Sequence, residues 1–265
     1  MSSPVYAVSD VHGHVRVLRE RLRAERLIDR RGRWAGRDVS LWFLGDFFDR
    51  GPDGIGVLEL VRRLVQQSAD GPGEVRAMLG NHEVLAIGMR LFGSTEVPHP
   101  GSVPRSFERS WTMNGGQPKD QQRLTEDHVA WLSDLPVMAV QDDWLLVHSD
   151  TTEYTRWGTS VAEVNAGVCA DLRSGDVARV WEVWRHLTSR YSFRGDQGPA
   201  AARGFLDQFG GRRIVHGHSI VAHWMGVDHA EVTGPLLYAD GLALGIDGGL
   251  NDGGPCLLTR LVPVG

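Results

Sequence analysis

Lysine is almost absent from this chain of 265 residues: of its 28 basic side chains only Lys119 is not an arginine. No basic block gathers those arginines and the net charge is −5, so the bias reads as genomic composition and no nucleic-acid partner is expected. Cysteine is scarce too. Cys169 and Cys256 have no CxxC neighbour and no framework spacing, which excludes a disulfide scaffold or a zinc ribbon and predicts two buried thiols. Nowhere do 18 apolar residues follow one another, so no membrane-spanning helix is expected. The start, Met1-Ser2-Ser3-Pro4, lacks a basic segment followed by a long apolar one, and a cytoplasmic protein is the expectation. Internal repeats and low-complexity tracts are missing as well.

What is present is an ordinary globular composition, 42% hydrophobic and 23% charged, enough to bury a large core. Short apolar runs predict strands at Val5–Val8, Ser40–Leu44, Val75–Leu79, Val137–Val140, Trp144–Val147, Arg213–Val215, Leu236–Ala239, Leu244–Ile246 and Cys256–Leu261. Between the first of these, Val15, Leu18, Leu22 and Ile28 are spaced for one helix face, and Val57, Leu60, Val61 and Leu64 for another. Early strand-helix alternation followed by mainly strands predicts an α/β sandwich of two mixed sheets flanked by helices, in one domain over residues 1–265. Two segments interrupt it. Residues 91–123, rich in Pro, Gly and Ser, read as a long loop insertion, and residues 160–209, with Val177, Val180, Trp181, Trp184 and Leu187 in helical spacing, as a helical cap.

Chemistry concentrates where strands stop. "YAVSDVHGHV" (residues 6–15) ends a strand in Asp10-Val-His12-Gly-His14; "LWFLGDFFDRG" ends one in Gly45-Asp46 and adds Asp49-Arg50-Gly51; "VRAMLGNHE" ends one in Gly80-Asn81-His82-Glu83. "WLLVHSD" then stops at His148 and "RRIVHGHS" at His216-Gly217-His218. Five strands thus finish in residue types that bind metals, at the edge of an α/β sheet where ligands are held.

This ordered set, Asp-x-His-Gly, Gly-Asp-x-x-Asp-Arg-Gly, Gly-Asn-His-Glu, His and Gly-His-Ser, resembles the calcineurin-like metallophosphoesterases. Within them it is most similar to the phosphoprotein phosphatase branch, which includes bacterial and phage serine/threonine phosphatases and symmetrical diadenosine tetraphosphatases. The motifs run from residue 10 to residue 218. The branch is favoured by Ile220, which stands where many other metallophosphoesterases carry a second histidine after Gly-His. The resemblance implies two divalent ions, manganese by family expectation with Fe, Zn, Co or Ni compatible, held by Asp10, His12, Asp46, Asn81, His148 and His218.

The residues read the same way on their own chemistry. In an extended strand positions i and i+2 share a face, so Asp10 and His12 can grip one ion while Val11 enters the core. Asp46 has two oxygens and can bridge two cations about 3.5–4 Å apart, with Asn81, His148 and His218 completing the ligands of the second ion. Neutral Asn and His donors leave the site cationic, which suits a phosphate dianion. A hydroxide bridging the ions would attack phosphorus in line, with no covalent phospho-enzyme. His82 is the candidate general acid, its imidazole turned outward and its protonated form favoured and oriented by Asp49. Arg50 presents a planar fork to phosphate oxygens. A second substrate-binding arginine comes from "SRYSFRGD", with Arg194 taken first and Arg190 next.

The function this implies is hydrolysis of phosphomonoesters by a metal-dependent phosphatase of the serine/threonine protein type, acting on a phosphorylated protein or a small phosphoester. The alternatives are a symmetrical dinucleoside tetraphosphate hydrolase and, in another class, a non-catalytic regulatory protein on the same scaffold. His216 is read as a strand histidine and His14 as a polar rim residue; His99, His128, His186, His223 and His229 have no motif around them. Trp111-Thr-Met-Asn114-Gly115-Gly116 resembles a segment of bacterial relatives but reads first as a glycine turn, and Asp247-Gly248-Gly249 as a structural strand end.

Overall fold

The computed structural model describes residues 3–69, 71, 73–98 and 104–263. The first half alternates β1 (Val5–Val8), α1 (Val15–Ala24), β2 (Ser40–Phe43), α2 (Gly54–Ser68), β3 (Glu74–Ala77) and α3 (Asn81–Phe92). Three shorter helices follow, α4 (Phe107–Met113), α5 (Pro118–Arg123) and α6 (Glu126–Ser133), then the hairpin β4 (Met138–Gln141) and β5 (Trp144–Val147). Helices α7 (Val161–Leu172), α8 (Val177–Leu187) and α9 (Gly198–Phe209) lead to β6 (Arg213–His216), α10 (Val221–Met225), β7 (Leu236–Tyr238), β8 (Ala243–Gly245) and β9 (Thr259–Leu261).

Two sheets result, ordered β3-β2-β1-β9 and β4-β5-β6-β8-β7. In the first, β1, β2 and β3 run parallel and β9 antiparallel; in the second, β5, β6 and β8 run parallel between the antiparallel edges β4 and β7. The expected two-sheet mixed sandwich is therefore what forms. Period-2 alternation sorts the strand residues between two cores. Val5, Ala7, Trp42, Leu44, Trp144, Leu146 and Val215 meet between the sheets, whereas Val8, Leu41, Phe43, Leu145, Val147 and Ile214 face outward under the helices. Leu18 and Leu22 of α1 are fully buried there, each contributing about 1.5–3 kcal/mol. Ile28 is buried too, though beyond the end of α1, in a bridge with Trp34.

The insertion differs from the expected loop. Residues 99–103, His99 and Pro100 among them, lie outside the described residues, and about half of the rest is helical: Ser106 caps α4 by accepting the Arg109 N–H, and Pro118 opens α5. Of its prolines, Pro118 sits at a helix start rather than in a turn. The buried Asp120 carboxylate of α5 accepts the Gly54 N–H at 2.9 Å and so caps α2, tying the insertion to the segment after Arg50. The 160–209 segment is helical as expected, and α8 packs on α3, the helix that opens with Asn81 and His82. Cys256 is buried, but Cys169 is only half-buried, its thiol 3.8 Å from Asp134 Oδ1 on the outer side of α7. Among the described residues no helix is long and apolar enough to cross a membrane.

Candidate metal centre

Because β1, β2, β3, β5 and β6 all point the same way in their sheets, the segments that follow them meet at one edge. The post-strand chains are zipped together: the N–H groups of Asp10, His12 and Gly13 donate to the carbonyls of Gly45, Asp46 and Phe47 at 3.2, 3.0 and 2.8 Å. Two glycines permit this closeness. A Cβ on Gly45, whose φ is +96°, would lie 2.4 Å from Gly80 N, and one on Gly217 would lie 2.1 Å from Asp10 Oδ2.

The expectation that Asp10 and His12 share a face of an extended strand is corrected here. Strand β1 stops at Val8, and Asp10 (φ 51°) and His12 (φ 42°) are both left-handed, so a tight turn brings them together while Val11 is buried. Asp46, Asp49, Arg50 and His218 are left-handed as well, at φ 59°, 64°, 61° and 62°. Strain on this many non-glycine residues is held in place only by the surrounding contacts.

Six predicted ligands converge. Asp10, Asp46, His148 and His218 form one group of donor atoms lying within 4.8 Å of one another, and His12, Asp46 and His82 form a second, with Asp46 common to both. Asp46 Oδ1 faces His148 Nε2 at 3.4 Å, and its Oδ2 faces His12 Nε2 at 3.8 Å and His82 Nε2 at 4.0 Å. Asn81 joins through Oδ1, 2.9 Å from His148 Nε2.

The histidine tautomers are fixed from behind. His12 Nδ1 donates to the Phe48 carbonyl at 2.7 Å, His148 Nδ1 to the Leu44 carbonyl at 2.8 Å and His218 Nε2 to the Thr188 carbonyl at 3.0 Å. A carbonyl can only accept, so the other nitrogen of each ring keeps its lone pair for the cluster. His148 Nε2, Asn81 Oδ1 and Asp46 Oδ1 then form a meeting of acceptors with no donor among them. The charges give the same answer. Burial pushes the Asp46 carboxyl well above its ordinary value, and the Asp10 and Glu83 charges push it further; Asp247 is raised by burial and by Asp10. Buried acceptors and anions in this arrangement call for cations, and the donor set fits two of them.

Around this cluster lie the other predicted residues. His82 Nδ1 donates to Asp49 Oδ2 at 2.7 Å, the expected pair, but the imidazole does not turn outward: it is 1% exposed. Burial, followed by the Arg50 charge, holds the His82 pKa well below normal, and burial raises the Asp49 carboxyl to about 7. The imidazolium that Asp49 was expected to favour is therefore opposed by desolvation. Arg50 Nη2 lies 3.3 Å from His82 Nε2. Of the two arginines left open, Arg194 has its guanidinium stacked between Tyr191 and Trp224, 3.8 and 3.7 Å from the ring centroids, with Nε and Nη2 sealed and unpaired. After burial, the Arg190 charge is among the influences that lower His148, His218 and His82. His216 is the expected strand histidine, its Nε2 accepting from the Tyr238 hydroxyl at 2.7 Å.

Three supporting residues escaped the sequence reading. Glu83, fully buried and raised by burial to about 7, accepts the N–H groups of Gly80, Asp46 and Phe47 at 2.8, 2.8 and 2.7 Å and so sets the turn that carries Asp46. Its three-residue spacing from Gly80 was the available signal. The Tyr154 hydroxyl accepts the His148 and Ser149 N–H groups at 3.2 and 3.1 Å, and no local pattern announces it. Trp111 donates its indole N–H to Asp49 Oδ1 at 2.9 Å, while Gly115 O takes the Arg50 N–H at 2.7 Å. The turn reading of this segment missed that contact. Trp111→Phe, which keeps the ring and removes the donor, is expected to lower kcat/KM about 10-fold with metal content unchanged. Equal rates for the two proteins would leave the indole a packing role only.

A family model described as calcineurin-like phosphoesterase matches residues 3–222. Serine/threonine-protein phosphatase 1 of Salmonella typhimurium is 30% identical over 142 residues, 54% of this chain and 51% of that protein. A symmetrical bis(5'-nucleosyl)-tetraphosphatase of Aromatoleum aromaticum is 26% identical over 190 residues, 68% of this chain and 59% of that one. The chain thus spans between half and three fifths of the length of these two relatives. In fold it is similar to the cold-active protein-tyrosine phosphatase of a psychrophilic Shewanella, with a TM-score of 0.69 at 23% identity over 96% of this chain and 74% of that one. With the match running through all five strand-end motifs, the chain belongs to the calcineurin-like phosphoesterase family.

Proposed function

We propose that the protein is a two-metal phosphomonoesterase of the serine/threonine protein phosphatase type. The observation that carries this reading is Asp46, one carboxylate shared by two groups of buried donors. Asp10, His12 and Asp46 would hold one ion, and Asp46, Asn81, His148 and His218 the other; manganese is the proposed pair. When bound, such ions neutralise phosphoryl charge and lower the pKa of coordinated water toward neutrality.

The chain's own groups do the rest. Arg50 and Arg190 clamp the phosphoryl oxygens, Arg50 from the face it shares with His82 Nε2. His82 Nε2, the nitrogen not bonded to Asp49, gives the departing oxygen its proton, while Asp49 receives the Nδ1–H bond and steadies the ring. The dianionic substrate offsets the Arg50 charge that disfavours imidazolium, so His82 takes up its proton as substrate binds. Trp111 keeps Asp49 in place.

The longer of the two relative matches favours a second reading, hydrolysis of a dinucleoside tetraphosphate. Comparing kcat/KM of the manganese-loaded protein on a phosphoserine peptide and on diadenosine tetraphosphate decides between them. The peptide is expected to win, and a hundredfold preference for the dinucleotide overturns the first reading. Turnover of 4-nitrophenyl phosphate excludes a non-catalytic protein. In the same assay Arg190→Ala is expected to raise KM more than Arg194→Ala; the reverse order would return the phosphate contact to Arg194.

A further inference from the structure

Two histidines without a motif face each other away from the strand-end cluster. The Nε2 atoms of His223 and His229 are 3.3 Å apart, with the rings meeting edge to face at a centroid distance of 5.1 Å. Among the described residues neither ring has another hydrogen-bond or ion-pair partner. His223 is exposed on α10 and His229 half-buried beyond it.

The backbone, not the ring contact, places both side chains. Gly226, left-handed at φ 66°, ends α10 and reverses the chain between them. The Asp228 carboxylate then accepts the Ala230 N–H and the Glu231 carboxylate the Asp228 N–H, each at 2.9 Å, which fixes the short turn His229–Glu231. On the far side Gly249 makes room for the His229 ring, since a Cβ there would come 2.9 Å from Cδ2.

Neutral imidazoles with facing nitrogens can share one proton, or both can present lone pairs to one ion. Metal–nitrogen bonds of about 2.0–2.1 Å at a tetrahedral angle put neighbouring nitrogens about 3.3–3.4 Å apart, which is the separation found. Nδ1 of each ring is free to carry the proton, as such ligation requires.

We propose that His223 and His229 form a separate, solvent-facing zinc site. Imidazole donors suit Zn, Cu and Ni over Mg, Ca or Mn. The two histidines are the protein ligands and water completes the shell. The ion pins α10 to the His229–Glu231 turn, next to Ile220 and Gly249, and makes this corner zinc-dependent without touching the strand-end ligands.

The test equilibrates the manganese-loaded full chain with micromolar Zn²⁺ and counts zinc by elemental analysis in the wild type, His223→Ala and His229→Ala. The wild type is expected to hold about one zinc per chain more than either variant. In crystals of the wild type, anomalous scattering at the zinc edge is expected to peak between the two rings. Equal zinc in all three proteins, or no peak there, overturns the proposal and leaves a hydrogen bond between imidazoles. The crystal arm needs no variant, so a folding defect in one does not blur the answer.

Discussion

Asp46→Asn is expected to strip the site of its paired ions and to slow hydrolysis on the order of 10³-fold or more. That figure follows from the several kcal/mol of transition-state stabilisation that paired ions supply, at about 1.4 kcal/mol per tenfold. The substitution is a clean one. An asparagine keeps an oxygen to accept the His82 N–H, now 3.0 Å from Asp46 Oδ1, but has only one oxygen with which to face two donor groups. Stability supplies an independent readout with opposite signs. A carboxyl whose pKa is raised on folding opposes folding wherever it is ionised in the unfolded chain, above about pH 4. Asp46 is such a group, raised by burial and by Asp10. At pH 7 the chelated variant should therefore melt no lower than the chelated wild type, and the manganese-saturated variant should melt lower than the manganese-saturated wild type. A variant that retains both ions would remove the bridging role.

His82→Asn is expected to separate the two halves of the chemistry. Metal content should persist, because Asp46, His148 and His218 remain, and turnover of an alkyl phosphate should fall about 10²–10⁴-fold, the range for losing a general acid. Loss of 4-nitrophenyl phosphate turnover should be much smaller, since that leaving group departs without a proton. Equal losses on both substrates would rule out proton donation. His82 lies within 4.0 Å of Asp46 Oδ2 in the second donor group, so a fall in metal content would instead assign it to the ions. The variant should still fold, because Asp49, already raised to about 7 by burial, keeps the Trp111 indole as a partner.

The sequence by itself determined the two-sheet sandwich and pointed to most of the side chains that meet at its edge. Strands announce themselves through local period-2 burial, and Asp10, Asp46, Asn81, His148 and His218 each follow one, so parallel neighbours had to deliver them to the same edge. Tertiary structure alone decided the orientations. Whether Asp10 and His12 meet along a strand or around a turn depends on the Gly45 and Asp46 carbonyls that take their N–H groups. That the Arg194 guanidinium stacks on Trp224, 30 positions beyond it, was decided by the fold alone. Trp111 reaches Asp49 across 62 positions, and the His223–His229 pair exists only because a left-handed glycine turns the chain between them. Periodicity and spacing record what a residue's own neighbours demand. Hydrogen bonds and stacking between distant segments leave no such trace, because many sequences satisfy the same contact.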